Sequence, residues 1–135
     1  MANTLNNRSL TRLKGVNPLL IAIATTAKID TPYNFEIADM GGFRTVADQK
    51  YLYASGRTRP GKIVTRADGV KKLSNHQSGN AIDIVCYDDG KITWDEKVFK
   101  EVAIHLKKVA KDSYGIDLKW GGDWTTFRES PHFEL

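Results

Sequence analysis

Leu19, Leu20, Ile23 and Ala27 recur at the spacing of one helical face, and Asn17-Pro18 ahead of them is a cap followed by a first-turn residue. The pattern therefore predicts a helix over 17–28. A shorter helix is expected over 9–14, capped by Ser9 and stopped at Gly15. Phe35 and Ile37, with Asp39 continuing the alternation, suggest a strand running into the Gly41-Gly42 turn. Thr45 then caps a helix to about residue 54 that Gly56 closes. Along 81–87, Ala81, Asp83, Val85 and Tyr87 share one face of an apolar strand, and Ile82, Ile84 and Cys86 share the other. Asp88-Asp89-Gly90 reads as a hairpin turn into Lys91-Ile92-Thr93. Asp95 caps the longest helix, over about 96–112, with its stripe through Val98, Phe99, Val102, Leu106, Val109 and Ala110. Ile116, Leu118 and Trp120 alternate as a further strand, and Gly121-Gly122-Asp123-Trp124 forms a tight turn after it. Pro131 keeps Ser130 out of helix, so the chain closes on a short extended run with His132 and Glu134 on one face and Phe133 and Leu135 on the other. This order of elements describes an α+β fold, a small antiparallel sheet with helices packed on one side.

The 135 residues fit a single domain over 1–135, with no repeat, linker or low-complexity stretch. At 41% hydrophobic and 27% charged residues, disorder is excluded. The net charge of +4 favours anionic surfaces, such as nucleic acid, peptidoglycan or lipopolysaccharide, without choosing among them. Cys86 is the only cysteine, so no intramolecular disulfide can form, and its place on an apolar strand suits a core filler. Arg8, Arg12 and Lys14 before the apolar run over 19–27 superficially copy a secretory signal, but the capped helical spacing argues for a core helix. The run is too short to span a membrane, and no membrane insertion is expected.

Asp83 is the anomaly in this pattern. An ionised carboxylate on an apolar strand costs several kcal/mol unless a cation compensates it. One of the many arginines could do so, or a metal ion shared with His76, seven residues earlier across a glycine turn. The C-terminal run adds His132, and His76, Asp83 and His132 together make the three-ligand set of a catalytic zinc that leaves a fourth position for water. Glu129, three residues before His132, could stand beside such a water without being a ligand. His105 has no ligand-like partner and is expected at a surface or boundary. The basic loop around Arg57, Arg59 and Lys62 reads on its own as a solvated turn.

The stretch S-N-H-Q-S-G-N-A-I-D resembles the S-x-H-x-x-G-x-A-x-D signature of the zinc D,D-peptidase and L-alanyl-D-glutamate peptidase family, and E-S-P-H resembles its closing acid-x-x-His. G-F-R-T-V-A-D-Q-K-Y-L-Y, G-R-T-R-P-G-K-I-V-T and W-G-G-D-W fit the same comparison, which covers nearly the whole chain and looks most like single-domain phage endolysins. The resemblance implies the zinc D,D-peptidase (hedgehog-like) fold, Zn2+ held by His76, Asp83 and His132, and Glu129 as the catalytic acid/base, with Glu134 as its rival. It also implies Arg44 as the stabiliser of oxyanion charge and Ser74 as a hydroxyl orienting the cleft. Arg57 would meet a substrate carboxylate or serve structurally, the Gly121-Gly122-Asp123-Trp124 turn would line the cleft, and Trp120 and Asp123 would bind substrate there. The implied activity is hydrolysis of the L-alanyl-D-glutamate bond in peptidoglycan. The implied setting is a monomer that waits in the host cytoplasm until a membrane pore releases it to the wall in the periplasm.

One position departs from that branch. Phage L-alanyl-D-glutamate peptidases often carry Asp where this chain has Glu129, and Glu is typical of the D-alanyl-D-alanine dipeptidase relatives. A D-alanyl-D-alanine carboxypeptidase or dipeptidase is therefore the first alternative, and a non-catalytic zinc domain binding wall or protein is the second. A nucleic-acid binder is disfavoured because no recognised motif is present.

Overall fold

The computed structural model describes residues 4–135. Four helices, α1 (Asn7–Arg12), α2 (Pro18–Ala27), α3 (Val46–Ala54) and α4 (Glu96–Tyr114), accompany five strands, β1 (Phe35–Ile37), β2 (Ala81–Asp88), β3 (Lys91–Thr93), β4 (Lys119–Trp120) and β5 (His132–Glu134). The architecture is α+β, as the order of elements predicts. All pairings are antiparallel, in the order β1-β2-β5-β4 with β3 on the far part of β2. The long β2 is the spine: its first half pairs with β5 and its second with β1 and β3.

The caps explain most of the helix ends. The Asn17 side chain accepts from Leu19 N–H with Pro18 in the first turn, and Thr45 and Asp48 form a reciprocal capping box on α3. Asp95 accepts from Lys97 N–H, and Gly115 ends α4 in the left-handed conformation. Buried residues of α2 (Leu20, Ile23, Ala24, Ala27) and α4 (Val98, Phe99, Val102, Leu106) share one core with Phe35, Ile37, Ile82, Ile84, Cys86 and Phe133 from the sheet.

Two elements differ from expectation. The first helix is capped by Asn6 rather than Ser9 and spans Asn7–Arg12. Ser9 lies inside it, buried, donating to Glu36 Oε1 at 2.7 Å and accepting from Ile37 N–H at 2.9 Å. A serine that reads as a cap is here a bridge between α1 and β1. The strand expected from Ile116 shrinks to Lys119–Trp120, because β5 offers only Glu134 and Phe133 as partners.

That bridge is part of a buried polar cluster. Lys28, wholly buried at the end of α2, donates to Phe35 O at 2.8 Å and pairs with Glu36, whose other oxygen accepts from Asn6 N–H and Ser9 Oγ. Burial pushes the Glu36 carboxyl up, but Lys28, Asn6 N–H and Ser9 outweigh it and hold the group below its ordinary range. A buried pair of this kind is costly to break from one side, because the surviving charge stays desolvated. Glu36→Ala is expected to lower the unfolding free energy in a denaturant titration by about 3–5 kcal/mol. Adding Lys28→Met to Glu36→Leu should recover most of that loss. A loss below about 1 kcal/mol for Glu36→Ala is the size of an exposed pair and would refute the account.

Candidate metal centre and cleft

The register of β2 against β5 sets Asp83 opposite His132 and Ile82 opposite Phe133. Residues facing each other across antiparallel strands share a face, so the two polar side chains emerge together while their neighbours enter the core. His76 comes from the turn before β2, which is tied at both ends: Gln77 N–H bonds to Ser74 O, and Asn80 N–H bonds to Asn75 O. The turn rests on the start of α2, where Asn17 N–H donates to Gly79 O at 2.8 Å.

His76, Asp83 and His132 each offer one ligand atom, and these atoms all lie within 4.8 Å of one another. His76 Nε2 is 3.2 Å from His132 Nδ1 and 3.4 Å from Asp83 Oδ1, and His132 Nδ1 is 3.1 Å from the same oxygen. The outer ring nitrogens decide the tautomers. His76 Nδ1 lies 2.9 Å from the Gly42 carbonyl, which can only accept, so Nδ1 carries the hydrogen and Nε2 turns a lone pair inward. His132 Nε2 lies 2.7 Å from Glu134 Oε1, so by the same logic Nδ1 turns its lone pair inward. Three acceptor atoms thus face one another, an arrangement that calls for a cation among them. The residues fit a metal ion, each imidazole oriented from behind as metal-binding histidines usually are.

Electrostatics point the same way. Burial lowers the His132 pKa, but Asp83 and Glu134 outweigh it and raise the group above its ordinary value, so the pocket favours positive charge. Burial alone would raise the Asp83 carboxyl, yet the two imidazoles hold it far below the usual range. Of the two compensations left open for Asp83, the arginine is in place, and it leaves room for the other. Arg44 Nη2 pairs with Asp83 Oδ2 at 2.9 Å, leaving Oδ1 to the histidines. Arg44 is itself fixed, with Nε on Met40 O and Nη1 on Gln49 Oε1. Three of its five N–H groups hold structure, and the guanidinium stands first of all as a clamp on Asp83.

Glu129 joins this group. It lines three adjoining hollows, one of which also holds Arg44, Ser74, His76, Asp83 and His132. Burial raises its pKa, the nearby His132 charge opposing and Asp83 adding to the rise, and no protein hydrogen bond holds its carboxylate among the described residues. Its backbone is set by Gly121, whose carbonyl accepts from Glu129 N–H at 3.1 Å. A Cβ on Gly121 would stand 2.3 Å from the Glu129 carbonyl oxygen, so only glycine allows this approach. Gly42 is required for a similar reason: a Cβ there would reach 1.9 Å from Arg12 O, displacing the carbonyl that orients His76.

The other expected site residues divide. Ser74 lies at the cluster, its hydroxyl accepting from His76 N–H at 3.2 Å. Trp120 is buried, donating from Nε1 to Ser130 O at 2.7 Å, and supports the segment before His132 rather than the cleft wall. Asp123 turns toward α4 and pairs with Lys107. Arg57 is not brought to the cluster: it bonds to Tyr53 O and stacks on the Tyr53 ring at 3.8 Å. His105 is half-buried and bonds to Ala27 O. Trp124, not Trp120, faces the cleft, its ring 5.1 Å from that of His132. The sequence reading missed Gln49, fully buried behind Arg44, because an isolated glutamine on a short helix carries no signal of its own.

With the geometry in hand, similarity to known proteins is specific. The chain is 38% identical over 100 residues to the peptidoglycan L-alanyl-D-glutamate endopeptidase CwlK of Bacillus subtilis (strain 168), a match covering 70% of this chain and 57% of that protein. It is 33% identical over 117 residues to the L-alanyl-D-glutamate peptidase of Escherichia phage T5, covering 84% of this chain and 75% of that one. The crystal structure of the Serratia marcescens L-Ala D-Glu endopeptidase ChiX superposes with a TM-score of 0.75 at 27% identity, over 98% of this chain and 89% of ChiX. The profile of the phage L-alanyl-D-glutamate peptidases matches residues 1–134, the span that carries every member of the cluster from Arg44 to His132. The chain belongs to the phage L-alanyl-D-glutamate peptidase family.

Proposed function

We propose that this protein is a zinc peptidase that hydrolyses the L-alanyl-D-glutamate bond of peptidoglycan stem peptides. The observation that carries the reading is the convergence of three inward-facing acceptors, His76 Nε2, Asp83 Oδ1 and His132 Nδ1, beside a carboxylate held by no hydrogen bond among the described residues. Two neutral imidazoles and one carboxylate suit zinc better than magnesium or calcium, which prefer all-oxygen sets. Zinc held there supplies Lewis-acid activation of a water and of the scissile carbonyl.

The remaining work falls to the chain. Glu129 takes the proton of the attacking water and returns it to the leaving amine, a role helped by a pKa raised toward neutrality. Glu134, the rival for that role, is engaged with His132 and with Asn75 Nδ2 at 2.9 Å, which supports a positioning part for it. Arg44 keeps Asp83 ionised and in place, and its remaining N–H groups are available to negative charge developing on the carbonyl oxygen. Ser74 orders the turn that presents His76. In this reading the protein works as a monomer on the wall, after leaving the host cytoplasm through a membrane pore. No helix among the described residues is long and apolar enough to cross a membrane itself.

Protein purified without chelator should contain one zinc per chain by elemental analysis. His76→Ala and His132→Ala should abolish occupancy and His105→Ala should not, whereas equal loss in all three would mean that the histidines act through folding. Glu129→Gln should keep the zinc and lose about 10²–10⁴-fold in rate. Glu134→Gln should instead weaken metal affinity by about 10–100-fold. A Glu129→Gln protein near wild-type rate, with Glu134→Gln inactive at full occupancy, would reverse the two assignments. Digestion of purified sacculi is expected to expose new D-glutamate amino termini, read by end-group labelling and mass spectrometry. Release of free D-alanine without those termini would move the protein to the dipeptidase branch that Glu129 resembles.

A further inference from the structure

The cleft has two unlike halves that meet at Glu129. One, a hollow of about 450 Å³, is lined by Arg66, Lys72, Asn75 and Trp124 and reaches His132 and Glu129 at its floor. The other, of about 530 Å³, has Ile63, Val64, Trp94 and Phe99 on its wall together with the carboxylates Asp83, Glu96 and Glu129, and its one cation, Arg128, is tied by Nε to Gly122 O. Phe127 lines both halves and stands between them. An endopeptidase must hold chain on both sides of the bond it cuts, so these halves are the natural places for the two sides of the substrate.

The first half is built to keep a cation in a fixed place. The guanidinium of Arg66 lies over the Phe127 ring at 4.8 Å. Phe127 has φ +47°, a left-handed backbone that a bulky side chain keeps only where its surroundings enforce it. On the other side of the cleft, Gln49 Nε2 donates to Thr65 Oγ1 at 3.2 Å and to Ala67 O at 2.9 Å, bracketing Arg66 from both neighbours. The same Gln49 holds Arg44, which holds Asp83. The backbone that carries the exposed Arg66 is therefore placed, through buried and half-buried hydrogen bonds, relative to Asp83 in the candidate metal centre. The main chain at Lys72 is set by Asp68, whose carboxylate accepts the backbone N–H of Lys72 at 2.9 Å. Among the described residues neither Arg66 nor Lys72 pairs with a carboxylate. Both stand in a hollow whose floor carries Glu129 and Glu134, which would repel an anionic ligand unless cations opposed them.

We infer that Arg66, with Lys72 beside it, recognises a free carboxylate on the leaving-side residue and so determines the preference for an acidic residue after the scissile bond. The inference rests on the proposed reaction. A D-glutamyl residue carries two carboxyl groups; one continues the chain and the other stays free, within one residue of the amide being cut. The planar fork of arginine matches that group with two parallel hydrogen bonds, which an ammonium cannot copy. The other half, whose carboxylates would oppose a second anionic group and whose wall offers Ile63, Val64 and Trp94 to a methyl group, is left for the alanyl side.

The test uses zinc-loaded protein and two acylated L-Ala–D-Glu peptides that differ only in whether the free carboxyl is an acid or a primary amide. Wild type should prefer the acid in kcat/KM by about 10–100-fold, the worth of a hydrogen bond to a charged group. Arg66→Gln with Lys72→Gln should bring the ratio close to one by losing rate on the acid alone, at unchanged zinc content. Arg66→Lys should restore part of it, and Arg128→Gln, which removes a cation from the other half, should leave the ratio alone. A wild-type ratio near one, a ratio unmoved in the double variant, or equal loss on both peptides would overturn the inference. Calorimetric titration of the leaving-side peptide, acid against amide, reads the same discrimination without turnover. A protein that cuts neither peptide would thus refute the reaction, while this binding ratio still decides the part played by Arg66.

Discussion

The pairing of β2 with β5 is the constraint on which the rest depends. Side chains alternate across a strand, so a slip of one residue would send His132 into the core and bring Phe133 out to the cleft. What prevents the slip is apolar: Ile82 and Phe133, paired on the inner face, are both essentially inaccessible to water. Burial of two large side chains on one face thus fixes a carboxylate and an imidazole on the other. The segment before β5 is held as firmly, with Ser130 Oγ on Glu96 at the start of α4 and Ser130 O on the Trp120 indole. The hydrophobic core and the candidate metal centre are two faces of the same ladder.

Placing Asp83 there creates the problem that the surrounding chain answers. Its carboxylate is partly withdrawn from water, and the cost is offset on one oxygen by Arg44, while the other faces the two histidines where a cation fits. Arg44 then needs its own partners, because an immobilised guanidinium has five N–H groups to satisfy. Met40 O and Gln49 Oε1 supply two, and Gln49 passes the demand outward to Thr65 and Ala67. The long stretch between α3 and β2 has almost no regular structure, yet it is anchored at the point nearest the cleft by this chain of polar groups. Polar satisfaction here does what secondary structure does elsewhere in the molecule.

What could be read from the sequence follows from the range of the interactions involved. The ends of α2, α3 and α4 were legible because caps and glycines act within a few residues, and the stripe on α4 because its period is local. The histidines and Asp83 were legible because a charge on an apolar strand is out of place wherever it occurs. Ser9 misled because the same residue type caps helices and bridges buried carboxylates, and only the position of Glu36 in space decides between them. Glu134 as the partner of His132, Gln49 behind Arg44 and the turning inward of Trp120 rather than Trp124 all depend on contacts between distant elements. No spacing in the chain encodes them.

The three carboxylates of the centre show how one small site separates roles that share a functional group. Asp83 is paired with Arg44 and held ionised, which suits the ligand role proposed for it. Glu134 has its two oxygens committed to His132 and Asn75, which suits a group that orients and stays still. Glu129 has neither cation nor donor bonded to it among the described residues and sits in a withdrawn position that raises its pKa. The proton-carrying role proposed for Glu129 needs a group that is not pinned by donors favouring only its charged form. The backbone repeats the distinction: Asp83, His132 and Glu134 lie on paired strands, whereas Glu129 comes from the irregular loop that Gly121 draws close. Under the proposed reaction, two of the three ligands stand on the rigid ladder and the proton carrier on a loop, a division set by the absence of a single Cβ at Gly121 as much as by any charged side chain.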